Sequence, residues 1–283
     1  MNCSLKVFGW HRLFDYLCTQ IQNLKTMKRL FCIIWSFIGI AVTANAQGDD
    51  FGMWYELGAE KKVSQKWSVG LEGEFRTRNN SKTADRWSAG VSAEYKILKG
   101  LKAAAGYTFL YDNNAEELTW KNNLPNKWTP SYWGSRHRLF LQVSGSVSAG
   151  NFSFSLRERW QYTYRPEAQD KKYNFSWDED ANDNDYISGY TMEPVKGKGK
   201  NMLRSRLQVN YDIPKCKFEP FANVEMFNDK DGIAKMRYQI GTDYKIKKRH
   251  VLSLTYRYQS VNGNDDDNEV NCHMIGLGYK FKF

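Results

Sequence analysis

The sequence predicts an all-β fold, specifically an antiparallel transmembrane β-barrel of about ten to twelve strands. Three observations support this prediction. Apolar and polar residues alternate through most of residues 51–283. The alternating segments run to about 9 to 14 residues, which suits a tilted membrane strand better than the five or six residues usual in soluble sheets. The connections between them alternate between short and long, which is typical of membrane barrels.

Eleven segments show the alternation. In the second, Trp67, Val69 and Leu71 occupy one face, and Ser68 and Gly70 the other. Because bacterial single-chain barrels have an even number of strands, eleven leaves three solutions open. The first segment lies inside a ten-stranded barrel, or a long loop hides one more crossing, or the first and last strands pair in parallel. The segments are residues 52–60, 67–78, 86–97, 101–112, 136–147, 151–164, 202–211, 220–227, 235–246, 251–260 and 270–283.

The region before the barrel resembles an export signal. Lys28 and Arg29 precede an apolar run over residues 30–42, and the small residues Ala44 and Ala46 follow it. The run is short for a membrane anchor. We therefore expect a signal peptide over residues 27–46, cleaved after Ala46, and a mature barrel over residues 47–283 in the outer membrane of a Gram-negative cell. Residues 1–26 precede Met27, a natural start, and are interpreted as an over-called N-terminal extension.

The net charge of +10 would by itself suggest a nucleic-acid partner. Five basic residues and one acidic residue lie in the first 46 positions, which leaves 36 basic and 30 acidic residues, or +6, in the mature chain. Most of the remaining charges on strands lie opposite the apolar faces. The basic balance therefore predicts a charged barrel interior and no nucleic-acid partner. The mean hydropathy of −0.67 argues against multiple membrane helices.

The polar strand faces supply candidate residues for the interior. Charges of both signs there either fill the barrel with ion pairs or line a narrow, porin-like pore, and the excess of arginine favours anions. Glu158 falls on the opposite, lipid-facing side, where a carboxylate is costly; a local bulge, a neutral carboxyl and a protein partner are the alternatives. The candidates are Arg76, Arg78, Arg136, Arg157, Arg159, Arg204, Arg206, Glu72, Glu74 and Glu225.

The last segment is the most specific single feature. Tyr279, Phe281 and the final residue Phe283 alternate with small or charged residues. An alternating strand that ends in phenylalanine resembles the signal read by the outer-membrane barrel insertion machinery. That machinery is therefore an expected partner, together with outer-membrane lipid and lipopolysaccharide, and the barrel is expected to be a monomer.

The chain also resembles a known family. The residues that carry the resemblance are 54–57, 67–76, 157–162 and 203–207, followed by Glu219-Pro220 and Val224-Glu225. Over about residues 48–283 the chain is similar to domain-of-unknown-function family 2490, secreted barrel-like proteins of Bacteroidetes-type bacteria. The resemblance implies a barrel, but it implies no activity and no functional residues.

Other function classes have weaker support. An enzyme is not expected, although Ser260 and His273 could approach each other as a dyad of a lipid-acting hydrolase such as a lipase or deacylase. His137 is interpreted as a rim residue and His250 as a solvated residue in a basic turn. A soluble secreted β-sandwich is the remaining alternative. The role of the barrel stays open between a narrow channel for small or anionic solutes and a structural or surface barrel.

No cofactor or metal site is expected. The acidic stretch 178–185 fails the EF-hand template because Asp183 and Gly189 occupy the positions that require Gly and Glu. Residues 264–269 form a second acidic loop. Both loops are expected to be solvated. Cys216 and Cys272 should lie at opposite ends of the barrel, so no disulfide between them is expected.

Overall fold

The structure, a computed structural model, describes residues 49–176, 186–247, 249–262 and 269–283. None of these residues forms a helix long and apolar enough to cross a membrane. The predicted signal peptide, the N-terminal extension and the acidic stretch 178–185 lie outside the described residues, as does all of the second acidic loop except Glu269. The described strands are β1 (Asp50–Lys62), β2 (Trp67–Arg78), β3 (Thr83–Leu98), β4 (Leu101–Asn114), β5 (Glu117–Lys121), β6 (Leu124–Thr129), β7 (Tyr132–Ala149), β8 (Phe152–Arg165), β9 (Ala168–Ser176), β10 (Tyr186–Val195), β11 (Lys198–Tyr211), β12 (Phe218–Asp229), β13 (Gly232–Ile246), β14 (His250–Val261) and β15 (Cys272–Lys282).

Eleven strands close into a barrel in the order β1-β15-β14-β13-β12-β11-β8-β7-β4-β3-β2. The predicted barrel is confirmed, and each of the eleven predicted segments corresponds to one wall strand. The odd count is resolved by a parallel pair, since β1 runs alongside β15 with Trp54 opposite Gly276, while β1 and β2 are antiparallel. The ten-stranded alternative with the first strand inside is therefore wrong, and the closed sheet excludes a two-sheet sandwich.

Two long connections contain strands that the sequence analysis missed. Strands β5, β6, β9 and β10 form a separate four-stranded sheet in the order β10-β9-β6-β5, so the prediction of a further wall crossing in a long loop is also wrong. Trp128 stacks on Tyr173 with ring centroids 5.2 Å apart. Lys172 and Lys127 both donate to the Glu193 carboxylate, and these hydrogen bonds hold the pKa of Glu193 below its usual range.

The barrel wall is apolar outside and charged inside, the reverse of a soluble protein. Leu71 on the outer face is 61% exposed, whereas Leu110 on the inner face is 1% exposed. Exposed aromatic rings lie near both ends of the outer face, with Trp67 on Tyr95 near the short turns and Tyr111 on Trp133 near the long loops. An apolar belt with aromatic edges is the surface of a membrane-spanning barrel.

Glu158 lies on this outer face, as predicted from its position in the alternation. It sits directly opposite Ser205 in the β8–β11 pair. The Ser205 hydroxyl donates a hydrogen bond to Oε2 of Glu158 at 2.6 Å. The carboxyl group, which is half-buried in the wall, therefore has a polar partner on the neighbouring strand.

The long-loop end of the seam between β1 and β2 is held by one carboxylate. Asn79, Asn80 and Ser81 in the β2–β3 turn have φ values of 55°, 54° and 64°. This left-handed run turns successive backbone N–H groups toward one point. The Asp50 carboxylate accepts from the N–H groups of Asn79 and Asn80 at 2.8 and 2.9 Å, which fixes the start of β1 to the neighbouring turn.

Substitution of Gly106 by Ala is expected to destabilise the barrel by about 1–3 kcal/mol, because overpacking forces neighbours to shift. A Cβ at residue 106 would lie 2.5 Å from the Phe140 ring and 2.7 Å from the Val91 carbonyl oxygen. Urea unfolding in detergent micelles, followed by tryptophan fluorescence, measures the change. Gly145→Ala is the control, since a Cβ there meets nothing within 4 Å. Equal unfolding midpoints for both variants would contradict the prediction.

The cysteines Cys216 and Cys272 lie at opposite ends of the barrel. Cys216 lies in the short connection between β11 and β12, and Cys272 is the first residue of β15, next to a long loop. Both are free thiols. The predicted placement of the two thiols at opposite ends of the barrel is the one observed.

Candidate functional site: the arginine-lined lumen

A cavity of about 470 Å³ lies inside the barrel. Its lining extends from Gly58 and Lys280, near the short-turn end, to Arg165 and Lys198, near the long-loop end. Fifteen arginines and lysines line it, against five glutamates. Nine of the ten candidate charges from the sequence are among them. Arg78 is the exception and lies at the long-loop end of β2, with Nη1 3.6 Å from Asp85 Oδ1.

Glu225 is the best-buried carboxylate of the lumen, with 3% exposure. Arg157 forms an ion pair with Oε1, and Arg204 Nη2 lies 3.0 Å from both carboxylate oxygens. Arg237 Nη1 lies 3.6 Å from Oε2. A single carboxylate therefore serves three arginines from three strands.

Like charges face each other on the β8–β11 pair. Arg159 lies directly opposite Arg204, and Arg157 lies directly opposite Arg206. Arg159 donates from Nε and Nη2 to the Gln142 side-chain oxygen, at 2.9 and 2.7 Å. Facing like charges on adjacent strands are destabilising, so this part of the wall holds charge that its own residues only partly neutralise.

A second carboxylate lies closer to the long-loop end. Asp112 lies opposite Arg86 in the β3–β4 pair. Arg86 Nη2 donates to Asp112 Oδ2 at 2.9 Å, and Arg136 Nε lies 3.1 Å from the same oxygen. Here two arginines share one carboxylate, so the local excess is smaller than around Glu225.

Trp54 lies among these arginines and was not predicted as a site residue. It is 5% exposed, and the guanidinium carbons of Arg76, Arg257 and Arg237 lie 3.4, 4.0 and 4.9 Å from its ring centroid. Cation–π attraction to the indole face stabilises the packed guanidinium groups. The sequence did contain a signal, because Trp54 shares the alternation of Glu56, another residue that lines the lumen.

Glu269 enters the lumen from the long connection before β15. Its carboxylate forms an ion pair with Lys235 and accepts from Gln259 Nε2 at 2.9 Å. Burial opposes the charged form of Glu269, but the Lys235 ammonium outweighs it and holds the pKa of this carboxyl well below its usual range. Sequence reasoning placed Glu269 in a solvated loop; for this residue that prediction is wrong.

The two residues of the hypothetical hydrolase dyad, Ser260 and His273, lie on the adjacent strands β14 and β15. Tyr258 on β14 lies opposite His273 on β15. Tyr256 precedes Tyr258 by two residues and Ser260 follows it by two. His273 Nδ1 lies 2.7 Å from the Tyr256 hydroxyl, on the side away from Ser260. His137 and His250 form equivalent tyrosine pairs with Tyr107 and Tyr279, at 2.7 and 2.8 Å. Within the described residues, no group of three His, Cys, Asp or Glu side chains is placed to hold a metal ion.

Three solved structures with low sequence identity are similar to this chain. The beta domain of the Bordetella autotransporter Brka has 12% identity, a TM-score of 0.44 and coverage of 77% of this chain and 82% of that chain. The NanC porin has 14% identity, a TM-score of 0.44 and coverage of 83% and 99%. The CymD monoaromatic hydrocarbon channel has 12% identity, a TM-score of 0.34 and coverage of 75% and 83%. No curated protein matches the sequence.

The family comparison is more informative. The model of the family described as Protein of unknown function (DUF2490) matches residues 51–270. This range begins in β1 and ends just before β15, so it contains ten of the eleven wall strands almost completely. The chain therefore belongs to the DUF2490 family, which confirms the resemblance seen in the sequence.

Proposed function

We propose that this protein spans the outer membrane as a narrow channel that favours small anionic solutes. The observation that carries the proposal is the lumen cavity, whose lining extends between the two ends of the barrel and contains three times as many cationic as anionic side chains. Rings of arginine and lysine make a pore selective for anions. A barrel of eleven strands is intermediate between the packed eight-stranded barrels and the wide porins, which fits passage of small solutes only.

The outer-membrane location is supported by the surface and by the sequence. The apolar wall with aromatic rings near both ends fits a bilayer, and the predicted signal peptide supplies export. Outer-membrane lipid and lipopolysaccharide are then the natural partners of the wall, and we propose a monomer because a closed barrel leaves no strand edge to pair.

Single-channel recording in a planar bilayer tests the channel. Under a KCl gradient, the reversal potential of the wild type is expected to report a preference for chloride over potassium. Arg138→Gln is expected to reduce that preference, because Arg138 lines the cavity and its contact there is a neutral one, Nε to Thr163 Oγ1 at 3.1 Å.

Lys66→Gln is the matched control. It removes the same charge from an exposed turn outside the cavity, and the wild-type reversal potential should be retained. A folded barrel that conducts no ions would overturn the channel and leave a structural or surface barrel. A cation preference would overturn the proposed selectivity.

A further inference from the structure

The feature that carries a further inference is a group of four arginines on two adjacent strands, named here the arginine quartet: Arg157 and Arg159 on β8, and Arg204 and Arg206 on β11. All four line the cavity. They form two directly opposed pairs in the β8–β11 register. Four cations on neighbouring positions of one wall need counter-charge, since like charges opposite each other repel.

The protein supplies only part of that counter-charge. Glu225 forms ion pairs with Arg157 and Arg204. Arg237 forms a third ion pair with the same carboxylate. Arg159 is bonded to the neutral amide of Gln142. Arg206 lies opposite Glu225 in register, but its guanidinium makes no hydrogen bond or ion pair within the described part of the chain. Glu225 is thus the one carboxylate in direct contact with the quartet among the described residues, while Glu72 and Glu56 act on Arg159 and Arg206 only at longer range.

Buried guanidinium nitrogens without a described acceptor occur in the quartet, as they do at Arg165 and Arg257 elsewhere in the lumen. The Nε atoms of Arg157 and Arg204 are buried and make no hydrogen bond to a described residue. The same holds for the Nε atom of the neighbouring Arg237. Arg237 itself is 7% exposed. Buried polar groups in native proteins are normally hydrogen-bonded, and a charged donor that lacks an acceptor is especially costly. These buried guanidinium groups therefore lack hydrogen-bond acceptors, such as the oxygen atoms of an anion.

We propose that the arginine quartet is a binding site for a small oxyanion with two or more negative charges, of the phosphate or dicarboxylate kind. Planar guanidinium forks match the paired oxygens of such groups, and several forks on one wall can hold one ion from several sides. The cavity of about 470 Å³ has room for an ion of this size. Chloride has one charge and no pair of oxygens, so it satisfies the forks less well.

This inference rests on the proposed function only in requiring a lumen that solutes can enter. It does not require that ions pass through. The quartet would concentrate one class of anion halfway along the lumen. This class would then be the solute that the channel prefers.

Isothermal titration with inorganic phosphate tests the site on the whole mature protein, refolded in a non-ionic detergent with chloride as the background anion. The wild type is expected to bind phosphate saturably with one site. Arg206→Gln is expected to weaken binding about tenfold, which corresponds to the loss of one charge-assisted hydrogen bond. Because Arg206 has no partner within the described residues, its substitution should leave the barrel folded, and heat-modifiable gel mobility checks this.

The controls separate a site from general charge. Lys66→Gln removes one positive charge outside the cavity and should bind phosphate as the wild type does. Arg206→Lys keeps the charge but loses the fork, and weaker binding than the wild type is expected; this variant replaces Arg206→Gln if that one fails to refold. Absence of saturable phosphate binding in the wild type overturns the proposal, as does unchanged affinity in the folded Arg206 variants.

Phosphate binding and ion conduction are measured separately, so the two proposals fail separately. A barrel that binds phosphate through Arg206 but conducts no ions keeps the site and refutes only the channel. A barrel that conducts anions but binds no phosphate refutes only the site.

Discussion

Glu225→Gln is expected to lower the free energy of unfolding by about 3–5 kcal/mol, the cost of leaving buried charges without their partner. Glu225 is the carboxylate that Arg157, Arg204 and Arg237 share. The amide keeps the size of the side chain but removes its charge, so the three guanidinium groups repel each other inside the wall. Urea unfolding of the refolded barrel in detergent micelles measures the loss.

Glu94→Gln is the matched control, because Glu94 is paired with Lys102 at 2.7 Å in a more exposed part of the wall. Exposed ion pairs contribute about 0–1 kcal/mol. If the arginine quartet binds an oxyanion, added phosphate should recover more stability in Glu225→Gln than in the wild type, since the ion then supplies the missing charge. A loss no larger than that of Glu94→Gln would refute the shared-carboxylate role.

Phe283→Ala is expected to reduce assembly in the outer membrane of living cells several-fold while leaving the refolded protein almost as stable as the wild type. Phe283 is 66% exposed and lies just outside β15. Its ring packs edge-on against the Phe281 ring, with the two ring centroids 4.5 Å apart. Truncation of such an exposed ring removes little buried area, and most surface substitutions change stability by less than about 0.5 kcal/mol. A large effect in cells would therefore come from recognition by the insertion machinery.

The assembled fraction is measured by heat-modifiable mobility of outer-membrane preparations, and stability by urea unfolding. Phe152→Ala is the control, since Phe152 is also an exposed aromatic residue near the short-turn end, packed on Tyr211 at 4.8 Å. Equal assembly of the Phe283→Ala and Phe152→Ala proteins would remove Phe283 from the proposed signal, of which Tyr279 and Phe281 are the other members.

The wall strands were predictable because each face of a membrane strand meets a different solvent. Lipid outside and a charged lumen inside impose strict alternation over 9 or more residues, so Arg157, Arg159 and Leu156 could be assigned to faces from sequence alone. Strands β5, β6, β9 and β10 were not predicted, because they pair with one another and not with the wall, so no lipid-facing side imposes an alternation on them. β5 and β6 have only five and six residues, so each is too short for an alternation of polar and apolar residues to be recognised.

The lumen was predictable in composition but not in detail. The alternation placed Glu225 and Arg204 on one face, but the sharing of Glu225 by three arginines depends on the register between strands far apart in sequence. Glu269 was missed because it reaches the lumen from a connection, where no period applies. Trp54 was missed because an aromatic residue on a charged face looks like an exception until its three cationic neighbours are known.

The parallel pairing of β1 with β15 has a consequence for sidedness. In a barrel with an even number of antiparallel strands, both ends of the chain emerge on one side of the bilayer. Here β1 starts at Asp50, beside the β2–β3 turn at the long-loop end, and β15 finishes at Lys282, at the short-turn end. In an outer membrane with the short turns toward the periplasm, β1 would therefore start at the outer end of the wall and β15 would finish at the periplasmic end, so the first and last wall strands open on opposite sides of the bilayer.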